Sequence, residues 1–137
     1  MPTYLTKAQI LAADDSAFED VPVPEWGGGI ARVRRLSAAE KDAFEASLTI
    51  IQQQGGSVVQ KPNMVNVRAK LAVRCIVDEN GERIFDDGDI ADLGRKSGAA
   101  LDRVVAAAKR LNRMTEADLQ EMVQGLKNDP PAASPIA

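Results

Sequence analysis

Apolar residues recur along this chain with two different periods, and each stretch can be read by which period it keeps. Leu101, Val104, Val105, Ala108 and Leu111 fall at i, i+3, i+4, i+7 and i+10, one stripe of a 3.6-residue helix opening after Ser97. Val67, Leu71 and Cys75, flanked by Ala72 and Ile76, predict an earlier helix over about Asn63–Ile76, with Pro62 and Asn63 placed to start it. Leu119, Met122, Val123 and Leu126 predict a last helix that begins at Thr115 and closes at Lys127 and Asn128. Two capping boxes mark further helix starts. Thr6 with Gln9 is stapled by Leu5 and Ile10 and predicts a short helix to about Ala13. Ser37 with Glu40 opens a helix carrying Phe44, Leu48 and Ile51.

The strand period appears between Glu19 and Leu36. Val21-Pro22-Val23-Pro24 is extended because each proline biases its predecessor away from the helical region. Ile30-Ala31-Arg32-Val33-Arg34 alternates apolar and charged. With Gly27-Gly28-Gly29 between them, the two predict a hairpin whose first strand the prolines confine to a sheet edge. Trp26, the one tryptophan, is placed to cover a face of it. From Gln52 to about Pro62 the chain is polar and glycine-rich and is expected to be a mobile loop. Asn80-Gly81 predicts a two-residue hairpin turn leading to a short extended piece, Arg83-Ile84-Phe85. Asp86 or Asp87 is expected to cap a short helix containing Ile90 and Leu93.

These elements predict an α+β fold, mostly helical, with a small antiparallel β-hairpin or sheet near the N-terminus. Residues 1–128 are expected to form a single domain, and residues 129–137, rich in proline and alanine, a disordered tail. Aromatic residues make up only 4% of the 137, so the core is expected to rest on Ala, Val, Leu and Ile, which suits closely packed helices.

Chemistry is sparse. There is no histidine, which excludes Ser-His-Asp and Cys-His catalysis and histidine-ligated zinc. The one cysteine, Cys75, falls in an apolar stripe and reads as a small core residue. Asp78-Glu79-Asn80-Gly81 opens like a calcium loop, but Arg83 and Asp89 stand where glycine and glutamate belong. Gly94-Arg95-Lys96-Ser97 lacks the upstream glycine of a phosphate-binding loop. No cofactor or metal is expected. A net charge of -3 speaks against nucleic-acid binding, and the basic residues Arg103, Lys109, Arg110 and Arg113 read first as a solvated helix face. No apolar run reaches the length of a membrane span, and the N-terminus has no signal-peptide pattern, so a cytoplasmic protein is expected.

The run NVRAKLAVRCIVDENGERIFDDGDIADLGRKSGAALDRVVAAAKRLN, from Asn66 to Asn112, resembles the tail assembly chaperones of long-tailed bacteriophages and prophages. Upstream, Val23-Pro24-Glu25-Trp26-Gly27-Gly28, Val33-Arg34-Arg35-Leu36 and Ser37-Ala38-Ala39-Glu40 are similar to the same group, so the likeness spans most of residues 8–126. The resemblance implies a non-enzymatic role in the cytoplasm of a bacterial host. It implies binding to the tape measure protein, which is kept soluble while tail tube protein polymerises around it, and absence from the finished virion. Tail tube protein and a second copy of the chain are further expected partners. In many phages a frameshift near the end of this reading frame yields a longer form, and the Pro/Ala tail would suit such a junction.

The residues expected to meet a partner are Trp26, Arg103, Arg110, Met114, Leu119, Met122 and Val123. Methionine adapts to varied client side chains. A structural protein retained in the particle, such as a head–tail connector or minor tail component, is the alternative, and a small DNA-binding regulator a more distant one.

Overall fold

The computed structural model describes residues 3–114. The predicted helix at 115–128 and the tail at 129–137 lie outside the described residues. The first element, α1 (Lys7–Ala12), starts at Thr6, whose hydroxyl accepts from the Gln9 amide at 3.2 Å while the Gln9 side chain accepts from the Thr6 amide at 2.9 Å. Its residues are all exposed, as are Leu5 and Ile10. Next come β1 (Phe18–Val23) and β2 (Gly29–Arg34), paired antiparallel from Phe18↔Arg34 to Val23↔Gly29. A 3-10 turn over Pro24–Trp26 joins them, and Gly27 and Gly28 close it at φ 76° and 77°, a region that favours glycine. The glycine-turned hairpin therefore stands where the sequence placed it, with the proline-bearing strand at the edge. The sheet does not stop there. β5 (Ile76–Val77) joins the other side of β2, giving the order β1-β2-β5.

After β2, Ser37 and Glu40 form the second capping box at the start of α2 (Ala38–Ala46). The helix ends at Ser47, so Ile51 is not on it. Thr49-Ile50-Ile51 is β-branched throughout, which restricts side-chain rotamers in a helix and suits a pleated strand. The chain accordingly enters β3 (Thr49–Gln54) and returns as β4 (Ser57–Pro62). Gly55 and Gly56 have φ of 56° and 85°, the positive values a two-residue type I′ turn requires. The segment expected to be a mobile loop is thus a second antiparallel sheet, exposed along nearly all its length. "Mostly helical" gives way to an α+β fold in which two sheets share the described residues with the helices.

Pro62 ends β4 instead of starting the next helix. The Asn63 carboxamide oxygen accepts from the Val65 amide in an Asx turn (3.3 Å), and α3 begins later, at Val67–Cys75. Its first-turn neighbour Asn66 has φ 56°, a left-handed conformation asparagine tolerates. Gly94 is packed against it, and a β-carbon there would come within 2.5 Å of the Asn66 side-chain oxygen.

After β5 the predicted two-residue turn is wider. The Asp78 carboxylate accepts from the amides of Asn80 (2.8 Å) and Glu82 (3.0 Å), and only Arg83 of the Arg83–Phe85 piece pairs, as a single bridge to Val77. Asp86 then caps a 3-10 turn, Asp87–Asp89, that runs into α4 (Ile90–Leu93), as the acidic step predicts. Finally Ser97 caps α5 (Gly98–Leu111).

The core lies where α5 is packed against both α3 and one face of the first sheet. α5 buries Ala100, Leu101, Val104, Val105, Ala107 and Ala108, so four residues of the stripe read from the sequence are buried and Leu111 is half-covered, and the small side chains of Ala100, Ala107 and Ala108 allow close helix approach. The sheet contributes Val21, Val23, Val33 and Ile76, and α3 contributes Leu71, Ala72, Val73 and Cys75. Burial pushes the Cys75 thiol up to about 12, so the group is an uncharged hydrophobe at neutral pH.

Two polar junctions hold these layers in place. Arg34 donates to the Arg74 carbonyl (2.9 Å) at the end of α3, and its two terminal nitrogens grip both oxygens of Glu40. That bidentate pair, with the Ser37 amide, holds the Glu40 carboxyl down at about 2. Because the folded value lies below the ordinary 4.5, the pair stabilises fully above pH 4.5 and is lost as pH falls toward 2. Glu40 is one-third exposed, so solvent screening reduces the contribution to about 1–2 kcal/mol. Urea titrations should show a stability loss between pH 6 and pH 3 that is about 1–2 kcal/mol smaller in Glu40→Gln than in the unmodified protein.

The second junction closes α5. Asn112 is buried, accepting from the Leu36 amide (2.7 Å) and donating to the Ala108 carbonyl (2.9 Å). Arg113 then adopts φ 55°, and the Met114 amide donates to the Lys109 carbonyl at 2.8 Å, a Schellman closure. A left-handed L-residue costs about 1–2 kcal/mol, more than the backbone freedom a glycine gives up. Arg113→Gly should therefore raise unfolding free energy by about 0.5–1 kcal/mol in urea, and Arg113→Ala should not.

Candidate docking surface

Trp26 sits on the 3-10 turn at the end of the first hairpin, half-buried and packed against the core. Beside it stands Phe85, also half-buried, brought there by the extended chain after the Val77–Arg83 bridge. The two aromatics line clefts on either side of them. One, of about 220 Å³, is walled by Val23, Ile30, Ala31, Ile76, Val77 and Ile84. The other, of about 520 Å³, is bounded by Leu93 with Asp89, Asp92 and Lys96 at its rim. Ile30 and Ile84 are 68% and 53% exposed, so this end of the sheet presents an apolar ridge with a charged border. Such a surface takes an apolar side chain in each cleft and leaves polar groups at the edge.

The other sequence-derived residues go elsewhere. Arg103 donates to Glu25 at 2.9 Å, and this bond holds the Glu25 carboxyl below its ordinary range. Arg110 pairs with Glu19. Both arginines therefore tie α5 to the first hairpin and its turn, and Asp102 pairs with Arg68 of α3 at 2.6 Å. The basic face is solvent-exposed at Arg103, Arg110 and Arg113, as read from the sequence, and Arg103 and Arg110 form surface ion pairs there, each worth little by itself. Met114 is 4% exposed and belongs to the core. Leu119, Met122 and Val123 lie outside the described residues.

Trp26 is thus placed on an exposed-edge cleft, while Phe85, Ile84 and Ile30 were not singled out as contact residues. The signal for them was present: Arg83-Ile84-Phe85 is an apolar pair beside an acidic step, too short to form a second buried strand. Among the described residues no group of three or more Cys, Asp or Glu side chains is arranged to hold a metal ion. No described helix is long and apolar enough to cross a membrane.

The site is thus the end of a three-stranded sheet packed against α5, itself packed on α3, with an apolar ridge at that end and with Arg103 and Arg110 engaged in ion pairs. Residues 6–122 match the family model described as phage tail assembly chaperone, and the chain belongs to that family. Among solved structures it is similar to the tail assembly chaperone of bacteriophage HK97, with a TM-score of 0.53 over 80% of this chain and 92% of that one. Identity is 15%, so this likeness shows a shared fold. Comparison with curated protein sequences gave no match.

Proposed function

We propose that this chaperone binds the tape measure protein of its phage and keeps it soluble while tail tube protein assembles around it. The observation that carries the reading is the apolar ridge of Trp26 and Phe85, flanked by clefts and by exposed Ile30 and Ile84. A long helical client exposes repeated apolar side chains until the tube encloses it, and a helix laid across such a ridge buries one face of them. Exposed apolar patches of this kind are costly to keep unless a partner covers them. Arg103 stands at this end of the molecule through its pair with Glu25 and guides the client's polar face, and Arg110, paired with Glu19 of β1, lies further along the hairpin. The role is non-enzymatic and takes place in the host cytoplasm, with tail tube protein and a second copy of the chain as further partners.

Co-expression with the tape measure protein of the same phage tests the reading. The client is expected to shift from the insoluble to the soluble fraction and to co-purify with the chaperone, which should be missing from purified virions by mass spectrometry. A client that stays insoluble, with this protein recovered in the virion, would instead establish a structural role.

A further inference from the structure

A depression of about 380 Å³ opens where the chain passes from β2 into α2 and α5 comes to its end. Arg35, Lys41 and Arg113 stand around it, and Leu36, Leu111 and Asn112 complete its lining. No acidic side chain contributes to that lining. Cations gathered around one small volume repel each other, and an anion placed among them relieves the repulsion.

Among the described residues, none of the three is paired with a carboxylate, whereas Arg34, Arg68, Arg103 and Arg110 each are. Arg35 is held instead by uncharged acceptors. Its Nε donates to the Leu111 carbonyl at 3.1 Å and its Nη1 to the Asp15 carbonyl at 2.8 Å. Those bonds fix the guanidinium in place and leave its charge uncompensated.

Arg113 gives a second, separate observation. It adopts φ 55°, a conformation in which glycine would be less costly. The closure of α5 makes no use of its side chain, since the bonds there come from the Met114 amide and the Asn112 carboxamide. A strained backbone position that sets an exposed guanidinium at the rim of a cationic depression has the character of a binding position.

The lining also selects the kind of anion. Leu36 is buried and Leu111 half-covered, so an apolar surface lies directly beside the charges. A carboxylate can meet the cations while a neighbouring aliphatic group rests on the leucines. A nucleic acid is a poorer fit, because the chain's net charge of -3 repels a polyanion and three cations cannot track a row of phosphates.

From these observations we propose that Arg35, Lys41 and Arg113 form a docking site for an acidic segment of a partner protein. An aspartate or glutamate carboxylate lies among the three cations, and an adjoining aliphatic side chain lies on Leu36 and Leu111. The site shares no lining residue with the clefts beside Trp26 and stands independently of the client reading.

Fluorescence anisotropy of the full-length protein with a labelled peptide of alternating glutamate and leucine tests it. The peptide is expected to bind at low salt, more weakly as salt is raised, and at least tenfold more tightly than its glutamine–leucine counterpart. Lys41→Gln and Arg113→Gly should each weaken binding at least threefold. Arg113→Gly should do so while unfolding at a higher urea concentration than the unmodified protein, which separates lost docking from lost folding. Arg95→Gln is the control: Arg95 is 77% exposed on its side chain, lies outside the depression and changes net charge by the same amount, so binding should be unaffected. Absence of binding, or equal affinity for the glutamine–leucine peptide, would overturn the proposal. So would unchanged binding by Arg113→Gly, or an equal loss with Arg95→Gln, which would reduce the effect to overall charge. Tighter binding of a single-stranded oligonucleotide of equal charge would also overturn it and make the depression a phosphate site.

Discussion

Leu71→Ala is expected to lower the unfolding free energy by about 2–5 kcal/mol, the range for a buried leucine truncated in a packed core. Leu71 is 2% exposed and among the largest fully buried side chains of the protein. It lies where α3 packs on α5, beside Phe44 and Val105. The alanines of α5 bring the two helices so close that their backbones have little room to collapse into the space vacated. The cost therefore includes both lost transfer energy and a residual cavity. Against a total stability of about 5–15 kcal/mol for a domain of this kind, such a loss is a large fraction. Leu11→Ala on α1 is the control: Leu11 is 75% exposed, and its replacement should stay within about 0.5 kcal/mol. Urea titrations of both variants at pH 7 should show a lower midpoint for Leu71→Ala with an unchanged slope. Equal midpoints would mean that α3 is not fastened to the core through this residue.

The parts of this fold that the sequence announced are those whose local and tertiary demands agree. α5 kept its predicted stripe because the residues with helical spacing are also the ones that meet α3 and the sheet. The first hairpin was legible because its prolines, glycines and alternating charges each exclude other conformations at their own positions. The second hairpin was not. Gln52-Gln53-Gln54 and Lys61 look like loop, yet in the pairing Ile50 and Ile51 stand opposite Lys61 and Gln60, and Val58 and Val59 opposite Gln53 and Gln52, across the two-glycine turn. A Gly-Gly turn between segments that each carry a β-branched pair was the stronger signal. α3 started late for a similar reason, since a proline that can open a helix can also end a strand, and only the bond from the Asn63 amide to the Leu48 carbonyl shows which. The arginines of α5 were legible as charges, but their carboxylate partners, Glu19 and Glu25, are far away in sequence. Pairing across such a separation has no local trace, and with it went any means of telling a binding face from an internal clamp. The Trp26 ridge was half-legible: the tryptophan announced itself, whereas Phe85 became its neighbour only through the bridge between Val77 and Arg83.

That ridge sets the largest functional effect expected. Trp26→Ala should reduce the affinity for tape measure protein by about 30-fold or more, the about 2 kcal/mol that separates a central aromatic anchor from its surroundings. Trp26 divides two clefts, and its removal merges them into a single shallow depression that can no longer seat separate apolar side chains. Because it also packs against the core, some stability will be lost as well, and loss of client binding by this variant alone would be ambiguous. Ile84→Asp resolves the ambiguity. Ile84 is 53% exposed and lines the smaller cleft, so a carboxylate there leaves the fold within about 0.5 kcal/mol of its original stability. It nevertheless places an unpaired charge where the client's apolar face must lie, which is expensive to desolvate. Both variants should leave co-expressed tape measure protein in the insoluble fraction, and only Trp26→Ala should melt earlier. If Ile84→Asp solubilises the client as well as the unmodified chaperone does, the client is held elsewhere on the molecule and the ridge serves another partner.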